Sequence, residues 1–134
     1  MEKRVAADDG RSHAAFLKDP RDTSTPDAMA ALLAKFQTGV ALKPASTAML
    51  REMMEQATTF PNRLKGLLPP GTVVAHKTGT WGSAATNDVG VITLPGGSKH
   101  IAIAVFANRS KKGQAEVERA IAEIARVVYE RWAR

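Results

Sequence analysis

The sequence predicts an α+β fold in which helices pack on both sides of a three-strand antiparallel meander. Three observations predict it. Helix-period stripes occupy the first half and the last twenty residues, and between them run three short stretches of strand character joined by brief connections. Two of those stretches are apolar at nearly every residue, as strands covered on both faces are. With 134 residues, the length suits one domain or a piece of one.

Residues 1–25 are polar and read as one long loop, with a helical turn expected around His13 to Leu17. Thr25-Pro26-Asp27 then supplies an N-cap, a proline at the first helical position and an acid suited to the helix dipole. Met29, Leu32, Leu33 and Phe36 follow at helical spacing, and Gly39 stops the helix. A second helix is predicted from Ala45-Ser46 to about Thr58, with Ala48, Met49, Glu52 and Met53 near a 3.6 period. Pro69-Pro70-Gly71 turns the chain into a first strand over Val73 to Thr80. A Gly/Ser/Asn connection leads to a second strand, Asp88 to Leu94. Pro95-Gly96-Gly97-Ser98 is a turn, and His100 to Ala107 a third strand. Gly113 to Arg134 forms the last helix, its stripe drawn from Val117, Ala120, Ile121, Ile124, Val127 and Val128. Three strands make a narrow sheet for so much apolar face, which hints at missing strands.

Composition excludes several functions. Nineteen Lys and Arg against thirteen Asp and Glu give a net charge of +6, yet the basic residues are dispersed. The tightest group is Arg109, Lys111 and Lys112, and the one Tyr, two Trp and four Phe are not spaced for base stacking, so no nucleic-acid partner is expected. Without cysteine there is no disulfide framework or thiolate metal site. His13, His76 and His100 lack ligand spacing, so neither metal nor cofactor is expected. No run approaches the ~20 apolar residues of a membrane span, and the first ten residues do not form a signal peptide.

The chemistry concentrates at Lys77-Thr78-Gly79-Thr80. On a strand, the Lys offers a cation and the Thr hydroxyl a donor for a substrate carboxylate. Gly79 lets a substrate approach the strand edge, and a backbone N–H just beyond can supply half an oxyanion hole. By itself the tripeptide is a weak signal and reads first as an ordinary strand edge with a lysine in solvent. His76 alternates with Lys77, points to the opposite face, and is expected to be structural. Trp81 either edges a cleft or covers the sheet end. Trp132 is expected to pack.

The surroundings resolve the ambiguity. Arg63 through Thr80, with its Leu-rich stretch and Pro-x-Gly turn before Lys-Thr-Gly, resembles the class A serine β-lactamases. Ala84 through Ile92 looks like the following strand in the PER/VEB-like branch. Arg21-Asp22-Thr23-Ser24-Thr25-Pro26 with Ala28-Met29 resembles the end of the omega loop and the next helix. The family is known for Ser-x-x-Lys, Ser-Asp-Asn and Lys-Thr-Gly motifs.

The resemblance implies a partial β-lactamase/transpeptidase-like fold from the omega loop onward. Residues 1–25 would form an omega-loop-like segment, 26–60 two helices of the helical region, and 61–134 the C-terminal part of the α/β sandwich, with the upstream half missing. It implies β-lactam hydrolysis through a serine acyl-enzyme, as in antibiotic resistance, with Lys77, Thr78, Gly79 and Thr80 binding a small-molecule β-lactam. The Thr80 N–H would be one oxyanion donor. In the branch's pattern Glu2, followed by Ala7-Asp8-Asp9, stands where the deacylating base would be, although Ala6 stands where the family has a water-holding Asn; read alone, Glu2 is a solvated side chain beside a chain terminus. Asp22 would be the acidic end of the omega-loop salt bridge. Intact members are periplasmic or secreted.

The nucleophile is absent. Ser12, Ser24, Ser46, Ser83, Ser98 and Ser110 are followed three residues on by Ala15, Asp27, Met49, Thr86, Ile101 and Gly113, none of them Lys, and there is no Ser-Asp-Asn. The chain is therefore expected to behave as a truncation, inactive alone, with a complementary N-terminal fragment as the partner it would need. Two alternatives remain: a fragment of a penicillin-binding transpeptidase or carboxypeptidase, which shares Lys-Thr-Gly but does not need the omega-loop Glu, and a non-catalytic truncated gene product.

Overall fold

The computed structural model describes residues 18–82 and 84–134, without the side chain of Asp22. The expected helical turn at His13 to Leu17 therefore lies outside the described residues. A short 3-10 turn, Pro20–Asp22, precedes helix α1 (Pro26–Gln37) and helix α2 (Pro44–Glu55). Strands β1 (Val74–Trp81), β2 (Ala85–Thr93) and β3 (His100–Asn108) follow, and helix α3 (Gln114–Trp132) is the last element.

The strands form one antiparallel sheet in the order β1-β2-β3. β2 begins three residues before the Asp88 expected from sequence. Ala85, Thr86 and Asn87, which read as connection, pair with Trp81, Thr80 and Gly79 across a tight hairpin. The β2–β3 turn is built as its glycines require: Gly96 and Gly97 sit at φ +86° and +76°, where an L side chain is strained. The Gly97 N–H donates to Leu94 O at 3.0 Å.

Alternation sorts the sheet residues between two cores. Val74, Ile92 and Ile103 face α3, meeting Val117, Ile121, Ala125 and Tyr129 together with Leu64. Ala75 and Val91 face the other way, against Leu33 and Phe36 of α1 and Met54 of α2. Helices thus cover both faces, as the apolar strands required.

The caps explain the helix bounds. The Thr25 hydroxyl accepts from Ala28 N–H at 3.2 Å. The carboxylate of Glu116 accepts from Gly113 N–H at 3.2 Å, fixing the start of α3. The Lys65 ammonium donates to Glu55 O and Ala57 O at the end of α2, where a cation also suits the dipole. Arg51 of α2 donates to the Gln37 side chain and lies 5.3 Å over the Phe36 ring, tying α2 to α1.

Two helical stripes depart from expectation. On α2, Met49 and Met53 are 62% and 63% exposed, while Thr47 and Met54 are buried. On α3 the buried face is Val117, Ile121, Ala122, Ala125 and Tyr129, leaving Ile124 and Val127 outward. On α3 two alanines and a tyrosine join Val117 and Ile121 of the expected stripe in the buried face, whereas on α2 the buried pair is displaced from the expected methionines. Trp132 is 60% exposed rather than packed, with the Arg131 guanidinium 5.2 Å from its ring.

Candidate active site

β1 is an outer strand, and its free edge forms one wall of a cleft of about 640 Å³. Lys77, Thr78, Gly79, Thr80 and Trp81 line it, with Asn87 from β2 and Asp19, Thr23 and Ser24 from the segment before α1. The Thr93 N–H donates to Val73 O at 3.0 Å, so the odd-numbered residues of β1 turn their backbone groups toward β2. The N–H and C=O of Thr78 and Thr80 consequently point to the outer edge. Lys77 lies on the opposite face from Thr78, and its ammonium reaches round to donate to the Thr78 carbonyl. All four expected residues therefore meet at one edge.

The two threonines are held differently. Thr78 is buried, its hydroxyl 3.1 Å from the Thr59 hydroxyl. The Thr80 hydroxyl accepts from the Arg63 guanidinium at 2.6 Å. Arg63 is fully buried; it also donates to Gly79 O at 3.3 Å and Asn87 O at 3.0 Å, and pairs with Glu118 of α3 at 3.3 Å. The Phe60 ring covers it at 3.9 Å, from a backbone held at φ +48°. A buried guanidinium is tolerable only when its donors are satisfied, and here carbonyls, a hydroxyl and a carboxylate satisfy them. The strand edge thus carries the Lys77 ammonium on one side and is braced from the other by the Arg63–Glu118 pair.

The role of Arg63 was not read from the sequence. The signal was on α3: Glu118, Ile121, Ala122 and Ala125 follow the spacing of a buried stripe, so a carboxylate stands among core positions and calls for a buried cation.

A second buried polar group stiffens the same strand. His76 does face away from Lys77, as its alternation required, and its Nδ1 lies 3.0 and 3.1 Å from the two carboxylate oxygens of Asp88. Asp88 also accepts from Leu64 N–H at 3.1 Å, and both side chains are fully buried. Gly90, opposite His76, makes room: a Cβ there would stand 2.4 Å from Ala75 O and 2.9 Å from the His76 Cβ.

On the far side of the cleft, the Arg21 side chain, and then its backbone N–H, donate to Asp19 and hold its carboxyl below the ordinary 3.8 of an aspartate. Glu2 lies outside the described residues, as does the side chain of Asp22. Trp81 lines the cleft, and His100 is exposed. Among the described residues no helix is long and apolar enough to cross a membrane.

This sheet, covered by helices on both faces and opening a Lys-Thr-Gly strand edge on a cleft, has counterparts among known proteins. The Beta-lactamase enzyme family profile matches residues 2–132. The chain belongs to that family, on its class A side.

The chain is similar to the extended-spectrum β-lactamase PER-1 of Pseudomonas aeruginosa, 40% identical over 96% of this chain and 43% of the relative. It is likewise similar to β-lactamase VEB-1 of the same organism, 39% identical over 93% and 44%. Among solved structures, the TLA-1 extended-spectrum β-lactamase aligns with a TM-score of 0.80 at 47% identity, covering 83% of this chain and 42% of the other. An ancestral class A β-lactamase aligns at 0.79 and 40%, covering 86% and 44%. The chain thus spans less than half the length of the relatives it matches.

Proposed function

We propose that residues 77–80 are the carboxylate- and oxyanion-binding strand of a β-lactam hydrolase site whose nucleophile comes from polypeptide outside these 134 residues. The Lys77 ammonium and the Thr78 hydroxyl grip the antibiotic carboxylate, and Gly79 lets the ring system lie against the strand edge. The Thr80 N–H donates to the oxygen that becomes negative when the serine attacks the lactam carbonyl. Glu2 then activates the water that hydrolyses the acyl-enzyme. Asp22 braces the omega-loop-like segment that carries that base.

The observation that carries this reading is the cleft at the free edge of β1, lined by all four residues and backed by Arg63. Since loss of a nucleophile costs about 10⁶ in turnover, the 134-residue chain alone is inactive on this reading. The test is hydrolysis of nitrocefin by the chain, alone and mixed with the part of a class A relative that lies outside the matched residues. No turnover alone and measurable turnover in the mixture is expected, with Lys77→Ala lowering the latter. Robust hydrolysis by the chain alone would overturn the assignment of the nucleophile.

A further inference from the structure

The Thr78 hydroxyl does not stand alone on β1. Its oxygen lies 3.1 Å from the hydroxyl of Thr59, and either could be the donor. Among the described residues neither hydroxyl has another hydrogen-bond partner. Thr78 is buried and lines the cleft, whereas Thr59 is an exposed residue of the loop between α2 and β1. Its neighbours hold that loop in place. The Phe60 ring lies 3.9 Å from the Arg63 guanidinium, the Arg63 N–H donates to Phe60 O at 3.2 Å, and the guanidinium itself is bonded to the Thr80 hydroxyl. Thr59 is thus carried to the strand by the residues after it, and its own side chain contributes one polar contact.

The direction of that contact decides what Thr78 can do. A threonine hydroxyl has one proton and two lone pairs. If Thr78 spent its proton on Thr59, it would show only lone pairs to a ligand, and an anion would be repelled. If Thr59 donates instead, Thr78 keeps its proton for the ligand, and accepting one hydrogen bond makes it a stronger donor of the next. Only the second arrangement suits a residue that grips a carboxylate. The Thr78 carbonyl already accepts from the Lys77 ammonium, which retains two further donors. An anion at this point therefore meets an ammonium and a hydroxyl proton gathered on one residue.

We propose that Thr59 is a positioning residue for carboxylate recognition: its hydroxyl donates to Thr78 Oγ1 and leaves the Thr78 proton turned to the anion. The inference rests on the reading of residues 77–80 as the carboxylate-binding strand, and adds to it a residue that acts through Thr78.

The test is equilibrium titration of the 134-residue chain with benzylpenicillin and with its methyl ester, followed by the amide shifts of residues 77–80. The chain contains no Ser-x-x-Lys, so on that reading both bind without turnover. Wild type should prefer the acid. Thr59→Val should weaken binding of the acid about three- to tenfold, the range of one hydrogen bond, and leave the ester unchanged. Thr59→Ser, which restores the donor, should recover wild-type affinity. In a Thr78→Val background the acid should lose its advantage, and Thr59→Val should cost nothing more. Thr59→Ala repeats the measurement should valine disturb the loop. Equal weakening of acid and ester, no weakening of either, or failure of serine to rescue would each overturn the inference. A wild-type chain that does not distinguish acid from ester sinks the carboxylate-strand reading itself; a preference for the acid that survives Thr59→Val keeps that reading and removes Thr59 from it.

Discussion

At the scale of single residues, the site strand depends on groups that never reach the cleft. Arg63 is sealed behind β1 and joins the strand, the loop before it and α3 through one guanidinium. Removing one partner of a buried pair leaves the other charge without compensation, which costs about 3–5 kcal/mol. Arg63→Met is therefore expected to lower the urea midpoint of the chain markedly. Glu118→Gln, which keeps an acceptor, should cost less. Equal and small effects from both would show that the pair contributes no more than a surface bridge. The Lys-Thr-Gly strand was legible in the sequence because its residues are contiguous. Arg63 was not, because its partners Thr80, Asn87 and Glu118 come from three elements and meet only on folding.

At the scale of elements, the order of helices and strands was readable and the depth of their faces was not. The caps at Thr25 and the Gly96–Gly97 turn are local chemistry and fell where the sequence placed them. The start of β2 was misplaced because Ala85-Thr86-Asn87 carries little strand propensity, and pairing with β1 imposes the extended form. Met49 and Met53 were expected inside because they are apolar at the right period, but a period does not say which of two stripes meets the sheet. The β1–β2 contact itself has a sharp requirement. Gly90→Ala would push a methyl against Ala75 O and the His76 Cβ, displacing the His76–Asp88 pair. It is expected to destabilise by about 1–3 kcal/mol, read as a lower melting temperature together with a shifted His76 imidazole resonance. An unshifted resonance would show that the strands can separate without disturbing the buried histidine.

At the scale of the molecule, the two cores hold the sheet while several apolar side chains stay in solvent. Leu32, Met49, Met53 and Val127 are each more than half exposed. Spread over three helices, they make a surface suited to further contacts. Heat unfolding of the isolated chain is accordingly expected to be broad and concentration-dependent, measured by calorimetry over a dilution series. A sharp, concentration-independent transition of a monomer would contradict this.

Phe60 carries one more consequence. A phenylalanine with φ +48°, directly before Pro61, occupies backbone territory that both its own Cβ and the following ring disfavour. It is kept there while its ring lies over the Arg63 guanidinium. Loss of the cation is therefore expected to let this corner relax and wet the back of the Lys-Thr-Gly strand, read as faster amide exchange at residues 60–64 in Arg63→Met than in Glu118→Gln; equal rates in the two would refute it.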